Sequence, residues 1–256
     1  MSNYWAERMA ESQQIIADKT AGQIEGQLAR YYKRTMEQTI KDFTTTYEKV
    51  LAQIAEGKNP SPALLYNLSS YWEAQGALKN ELMKLGDKEV ELLSKQFEAT
   101  FRKIYEETAL PITEVFSPIE FSNIKQFTNQ IWCADGKSWS ERIWSNTEKL
   151  QQLLNDNLQN CVLTGKKPSE LAALLREQFN VGFYNSNMIV RTELAHIQNQ
   201  AALERYKSYG VSKVEILAED GCEHCQELAD KVYEIAEAPV VPIHPNCRCC
   251  IVPVIE

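Results

Sequence analysis

The sequence predicts a mostly α-helical protein with long N-terminal helices, a helical middle region and a small zinc-stabilised, β-containing C-terminal module. Three observations carry this. Apolar residues recur every three or four positions over most of the first 200 residues. That period gives way after Gly210 to short β-branched or aromatic runs. Beside those runs stand two pairs of soft metal donors, Cys222 with Cys225 and His244 with Cys247, followed at once by Cys249 and Cys250.

The elements follow in order. Ile24, Leu28, Tyr31, Met36, Ile40, Phe43, Tyr47, Val50 and Ile54 form the stripe of one amphipathic helix over most of residues 4–56. Gly57 and the prolines at 60 and 62 end it. A second helix is expected to about Leu85 and a third, after Gly86-Asp87, through Val90, Leu93, Phe97, Phe101 and Ile104 to near Pro111. Residues 111–137, with Pro111, Pro118 and Gly136, read as a connecting segment. Ser138-Trp139-Ser140-Glu141 has the form of a capping box and starts a helix that stops before Gly165. Pro168 starts another, and after Gly182 a last helix is expected from about Asn185 to Tyr209, closed by Gly210. Strands are predicted at 214–218, 231–235 and 250–255. The expected domains are 1–115 (helical, docking and assembly), 116–210 (helical) and 211–256 (the small β module).

With 256 residues, 44% hydrophobic and 24% charged, the chain can bury a sizeable core. Its N-terminus lacks the basic start and apolar run of a signal peptide, and no stretch reaches membrane-spanning length, so a soluble protein made in the cytoplasm is expected. Seven cysteines is an odd number, and five of them lie at or beyond position 222, which argues for a metal rather than a disulfide framework. A closed four-ligand site would stabilise a module with little core of its own. Cys222, Cys225, His244 and Cys247 are the first choice of ligands, and Cys249 competes for a place in the second pair, leaving five candidates for four positions. His224 reads as a solvated loop residue, and Glu223 as an exposed carboxylate rather than a general base. Arg191, Thr192, Glu193 and His196 lie on one helix, where surface ion pairs and hydrogen bonds are the default reading.

Other chemistry finds no motif: there is no glycine-flanked serine elbow and no phosphate-binding glycine loop. Trp132, Trp139 and Trp144 read as core or interface anchors. The segment from 211 onward carries three basic against nine acidic residues, and the whole chain has a net charge of −8, which disfavours a phosphate-reading module.

Arg191-Thr192-Glu193 in a helix, then Asn199, Ala202, Tyr206 and Gly210, a short strand, Cys222-Glu223-His224-Cys225, and Pro242-Ile243-His244-Pro245-Asn246-Cys247-Arg248-Cys249 together resemble the Mu F-like phage head morphogenesis proteins, also called minor capsid or minor head proteins. The helical residues from about Ser138 resemble the family's upstream region. The resemblance implies a non-enzymatic minor structural component of a tailed-phage or prophage head, assembled in the bacterial cytoplasm and located in the capsid interior or at the portal vertex. It implies association with the portal and other head proteins and an effect on DNA packaging or ejection, with at most weak contact to packaged DNA. Cys250 extends the family's Cys-Arg-Cys ending, and no room is expected after Glu256 for an added toxin or enzyme domain. Two alternatives belong to other classes. One is a metal-dependent enzyme using Arg191, Glu193 and His196, and the other is a DNA-binding virion protein.

Overall fold

The computed structural model describes residues 2–108, 121–218, 223–229 and 231–254. The first helix, α1, runs Ser2–Ala55 without interruption. Ile24, Leu28, Phe43, Tyr47 and Val50 of the expected stripe are fully buried, and Tyr31, Met36 and Ile40 pack half-buried against the same core, beside the more enclosed Tyr32, Thr35 and Thr39. Thr35 and Thr39 share that buried face, which an apolar stripe alone does not mark. Gly57, at φ 96°, closes the helix. Its N–H donates to Ile54 O and that of Lys58 donates to Gln53 O, the two bonds of a Schellman cap. The same pair of bonds recurs at Gly210, from Gly210 N–H to Lys207 O and from Val211 N–H to Tyr206 O.

A one-and-a-half-turn helix, α2 (Pro62–Tyr66), precedes α3 (Ser69–Glu107). Thus the second and third predicted helices are one, and Gly86 lies inside it. A β-carbon at Gly86 would stand 2.6 Å from a ring carbon of Trp144, so this glycine makes room for an indole rather than a break. The same correction applies after α4 (Phe121–Thr128) and α5 (Trp139–Thr164), where α6 runs unbroken over Pro168–Ser208. Gly182 lies within α6, and a β-carbon there would meet Leu150 at 3.2 Å and Tyr32 at 3.3 Å. A single glycine costs a helix only about 1 kcal/mol, so close packing of a neighbouring side chain is enough to retain it.

Gly86→Ala is therefore expected to destabilise the protein by about 2 kcal/mol, since overpacking against a rigid ring outweighs the gain in helix propensity. Gly76→Ala in the same helix, where an added β-carbon would meet nothing within 4 Å, is expected to stabilise it by up to about 1 kcal/mol. Denaturant midpoints of the two variants check the opposite signs.

After α6 come β1 (Lys213–Leu217), a short helix α7 (Glu223–Leu228), β2 (Val232–Glu234) and β3 (Cys250–Pro253). The strands form one antiparallel sheet in the order β2-β1-β3, with Val214 opposite Tyr233 and Ile216 opposite Ile251. All three predicted strands are present. Asn199 of α6 attends β3 on the side away from β1: its Oδ1 accepts from Ile251 N–H at 2.7 Å and its Nδ2 donates to Cys249 O at 3.0 Å.

The chain divides into two compact units. One comprises residues 26–90 and 140–186. Its core packs Phe43, Tyr47, Leu65, Leu82, Leu154, Leu158 and Phe179. Within that core lies a polar group. Ser186 Oγ donates to Glu89 Oε2 at 2.8 Å, and Asn146 Nδ2 donates to Gly182 O at 2.9 Å and to Ser186 Oγ at 3.1 Å. Tyr32 Oη lies 2.9 Å from Ser186 Oγ. The other unit comprises residues 1–25, 91–139 and 187–256. Phe97 meets Trp139 edge to face and Phe101 stacks on Phe127, while Tyr206, Val214, Ile216 and Ile251 form the apolar layer between α6 and the sheet.

Candidate metal centre

The turn that carries two of the predicted ligands is built from local sequence. In His244-Pro245-Asn246-Cys247, the Cys247 N–H donates to His244 O at 3.2 Å, closing a four-residue turn. Proline presets the second position, and Asn246 occupies the third with φ 59°, the pattern of a type II turn. Asparagine is among the few residues other than glycine that tolerate this region. The turn brings the first and last side chains together. On the other side of the site, Cys225 is carried by α7. Residues from Glu223 are helical. Cys222 and the side chain of His224 lie outside the described residues.

Cys225 Sγ stands 3.2 Å from His244 Nε2 and 3.7 Å from Cys247 Sγ, and all three donor atoms lie within 4.8 Å of one another. Around a tetrahedral zinc ion, bond lengths of ~2.3 Å to sulfur and ~2.0 Å to nitrogen put two sulfurs about 3.8 Å apart and sulfur and nitrogen about 3.5 Å apart. The spacing fits a metal ion of that kind. His244 Nδ1 lies 3.0 Å from Pro245 O, which can only accept, so Nδ1 carries the proton and Nε2 keeps its lone pair for a metal. Cys225 and Cys247 are buried, and His244 is half-buried.

Cys249 is buried against the cluster. A hydrogen bond from the Cys249 thiol, together with backbone N–H groups, pulls the Cys247 thiol down. The same contact and burial push the Cys249 thiol up. Thiolate is the form in which cysteine binds metals, so the hydrogen bonding that eases ionisation of Cys247 favours ligation there. Cys250 points elsewhere, accepting from Gln198 Nε2 at 3.0 Å and packing with Ala6, Ala10 and Val252.

The residues upstream on α6 depart from the surface reading. Glu193 and His196 are 2% and 1% exposed. Trp132 Nε1 donates to Glu193 Oε2 at 2.9 Å, and the Trp132 ring stacks on His196 with centroids 4.3 Å apart. Burial pushes His196 down to about 4, so its ring is neutral at neutral pH, and Nδ1 donates to Val241 O at 3.3 Å. Arg191 and Thr192 behave as expected, Arg191 pairing with Glu25 at 3.1 Å on the surface and Thr192 donating within the helix to Met188 O. From Val190 to Leu203 the helix is buried nearly all round, so its polar side chains face other elements rather than water. Sequence reasoning misses Thr192 and Asn199 as partners of the ligand-bearing segment, because no spacing rule links them to it.

A helical chain whose last strands frame a Cys/His cluster able to hold a metal ion is the class these features define. Residues 152–252 match the family model of phage Mu protein F like proteins, which bears out the resemblance over α6, the sheet and the cluster. That family suggests a role in phage head morphogenesis. No curated protein and no solved structure matches the chain. No described helix is long and apolar enough to cross a membrane.

Proposed function

We propose that this chain is a minor structural protein of a tailed-phage or prophage head, acting in capsid morphogenesis through association with the portal and influencing DNA packaging or ejection without catalysing a reaction. The family match over residues 152–252 carries the reading, because it takes in both the α6 signature and the Cys/His module. The protein would be assembled in the bacterial cytoplasm and come to lie in the capsid interior or at the portal vertex. Residues 1–115 would serve docking, with 116–210 and 211–256 forming the Mu F-like part. Long amphipathic helices suit docking because they offer apolar faces to grooves on partner proteins.

In this reading Zn2+ is held by Cys225, His244 and Cys247, with Cys222 or Cys249 as fourth ligand, and serves to fix the small sheet to its flanking loops. The donor spacing supports a metal site of this kind. The packing of Glu193 and His196 against Trp132 and Val241 disfavours the enzyme reading, which needs those side chains open to a substrate.

Co-expression of the intact chain with the portal and major capsid proteins of its own phage tests the assembly claim. The chain is expected to sediment with procapsids and to be retained by immobilised portal protein. Recovery of portal-containing procapsids that lack the chain, together with a failed pull-down, would overturn it.

A further inference from the structure

The ligand-bearing segment 241–251 is fastened to one face of α6. Thr192, His196 and Asn199 lie four and three positions apart, a spacing that places them on the same side of a helix. Thr192 Oγ1 accepts from Asn246 N–H at 3.1 Å while donating to Met188 O at 2.7 Å, so the hydroxyl is fixed in both roles. His196 Nδ1 donates to Val241 O, and Asn199 holds both Cys249 O and Ile251 N–H. These four bonds bracket His244, Cys247 and Cys249, and each goes to the backbone of the segment rather than to a ligand side chain. The fastening therefore does not depend on a bound ion.

Resting on the zinc reading above, we infer that Thr192, His196 and Asn199 are positioning residues that preassemble the His244–Cys247 half of the metal site on α6. The bond from Thr192 bears most directly on the ligands, because it grips the central amide of the turn that sets His244 and Cys247 at their spacing. Without it the turn is free to open, and the ordering of two ligands is charged against metal binding.

The test is a zinc titration of the reduced full-length chain against a chromophoric chelator, comparing the wild type with Thr192→Ala and Thr192→Ser. Thr192→Ala removes the hydroxyl but raises helix propensity. A purely structural role in the helix would leave the thermal stability of the zinc-free protein unchanged or raised and leave zinc affinity alone. The inference instead expects zinc affinity about tenfold weaker in Thr192→Ala, with no loss of zinc-free stability, and affinity close to wild type in Thr192→Ser. Equal zinc affinity for the wild type and Thr192→Ala would overturn the inference and leave the metal site standing. A wild-type chain that takes up no zinc would overturn the metal reading itself, and the inference with it.

Discussion

Replacing Cys247 with serine is expected to weaken zinc binding on the order of a thousandfold, about 4 kcal/mol, and to release the C-terminal sheet from cooperative folding. Hydrogen bonds lower the Cys247 thiol from its ordinary range, and it lies between Cys225, 3.7 Å away, and the Cys249 thiol. Serine keeps the size but not the soft, easily ionised sulfur. The module cannot absorb the loss, since β1, β2 and β3 contribute only five, three and four residues. Metal content measured by atomic emission and amide exchange at the paired residues Ile216 and Ile251 report the two consequences separately. Cys133→Ser, at a cysteine outside the donor cluster, is the control expected to keep the metal. Full zinc occupancy in Cys247→Ser would refute the assignment of this ligand.

The second large effect is expected at Glu89. Burial raises its carboxyl from 4.5 to about 7, against a smaller opposing pull from hydrogen bonds to Ser186 and Tyr32. Its Oε1 has no partner among the described residues. The folded state therefore binds the proton more tightly than the unfolded state does. The contribution to stability is complete below about pH 4.5 and is lost as pH rises through about 7, so this residue makes the fold weaker toward alkaline pH. The span of the shift corresponds to roughly 3 kcal/mol. Glu89→Gln mimics the neutral acid and is expected to gain stability relative to the wild type by up to that amount at pH 8.5, with little difference at pH 4.5. Urea unfolding of both proteins across that range isolates the residue, because other titrating groups cancel in the comparison. A constant difference at all pH values would show that Glu89 does not carry the proton.

What is legible in the sequence is whatever a local rule controls. The length of α1 and the glycine caps at 57, 165 and 210 follow from short-range signals, as does the change of period after Gly210. Gly86 and Gly182 mislead because the same residue that ends a helix also admits a bulky neighbour, and those neighbours, Trp144, Leu150 and Tyr32, are far away in sequence. The donors Cys225, His244 and Cys247 follow from spacing, and the structure brings their ligand atoms together. The α6 side chains that hold their segment do not, because their partners lie 45 to 54 residues downstream. Glu89 gives no sign either: in sequence it is one more charged residue on an amphipathic helix, and only the packing of Ser186 and Asn146 around it makes it interior.

The carboxamide of Asn199 has the donor and acceptor arrangement of a peptide group, and it occupies the place beside β3 where another strand would otherwise add. Cys249 O and Ile251 N–H are the groups a newcomer would pair with, and both are taken. Tyr206 Oη further occupies Ile251 O, at 3.4 Å. Side chains of a single helix thus blunt an edge that would invite β-augmentation or strand exchange between copies. In the proposed assembly role this would be an advantage: encounters on that flank of the sheet are confined to side-chain contacts, which can form and break without templating a fibre.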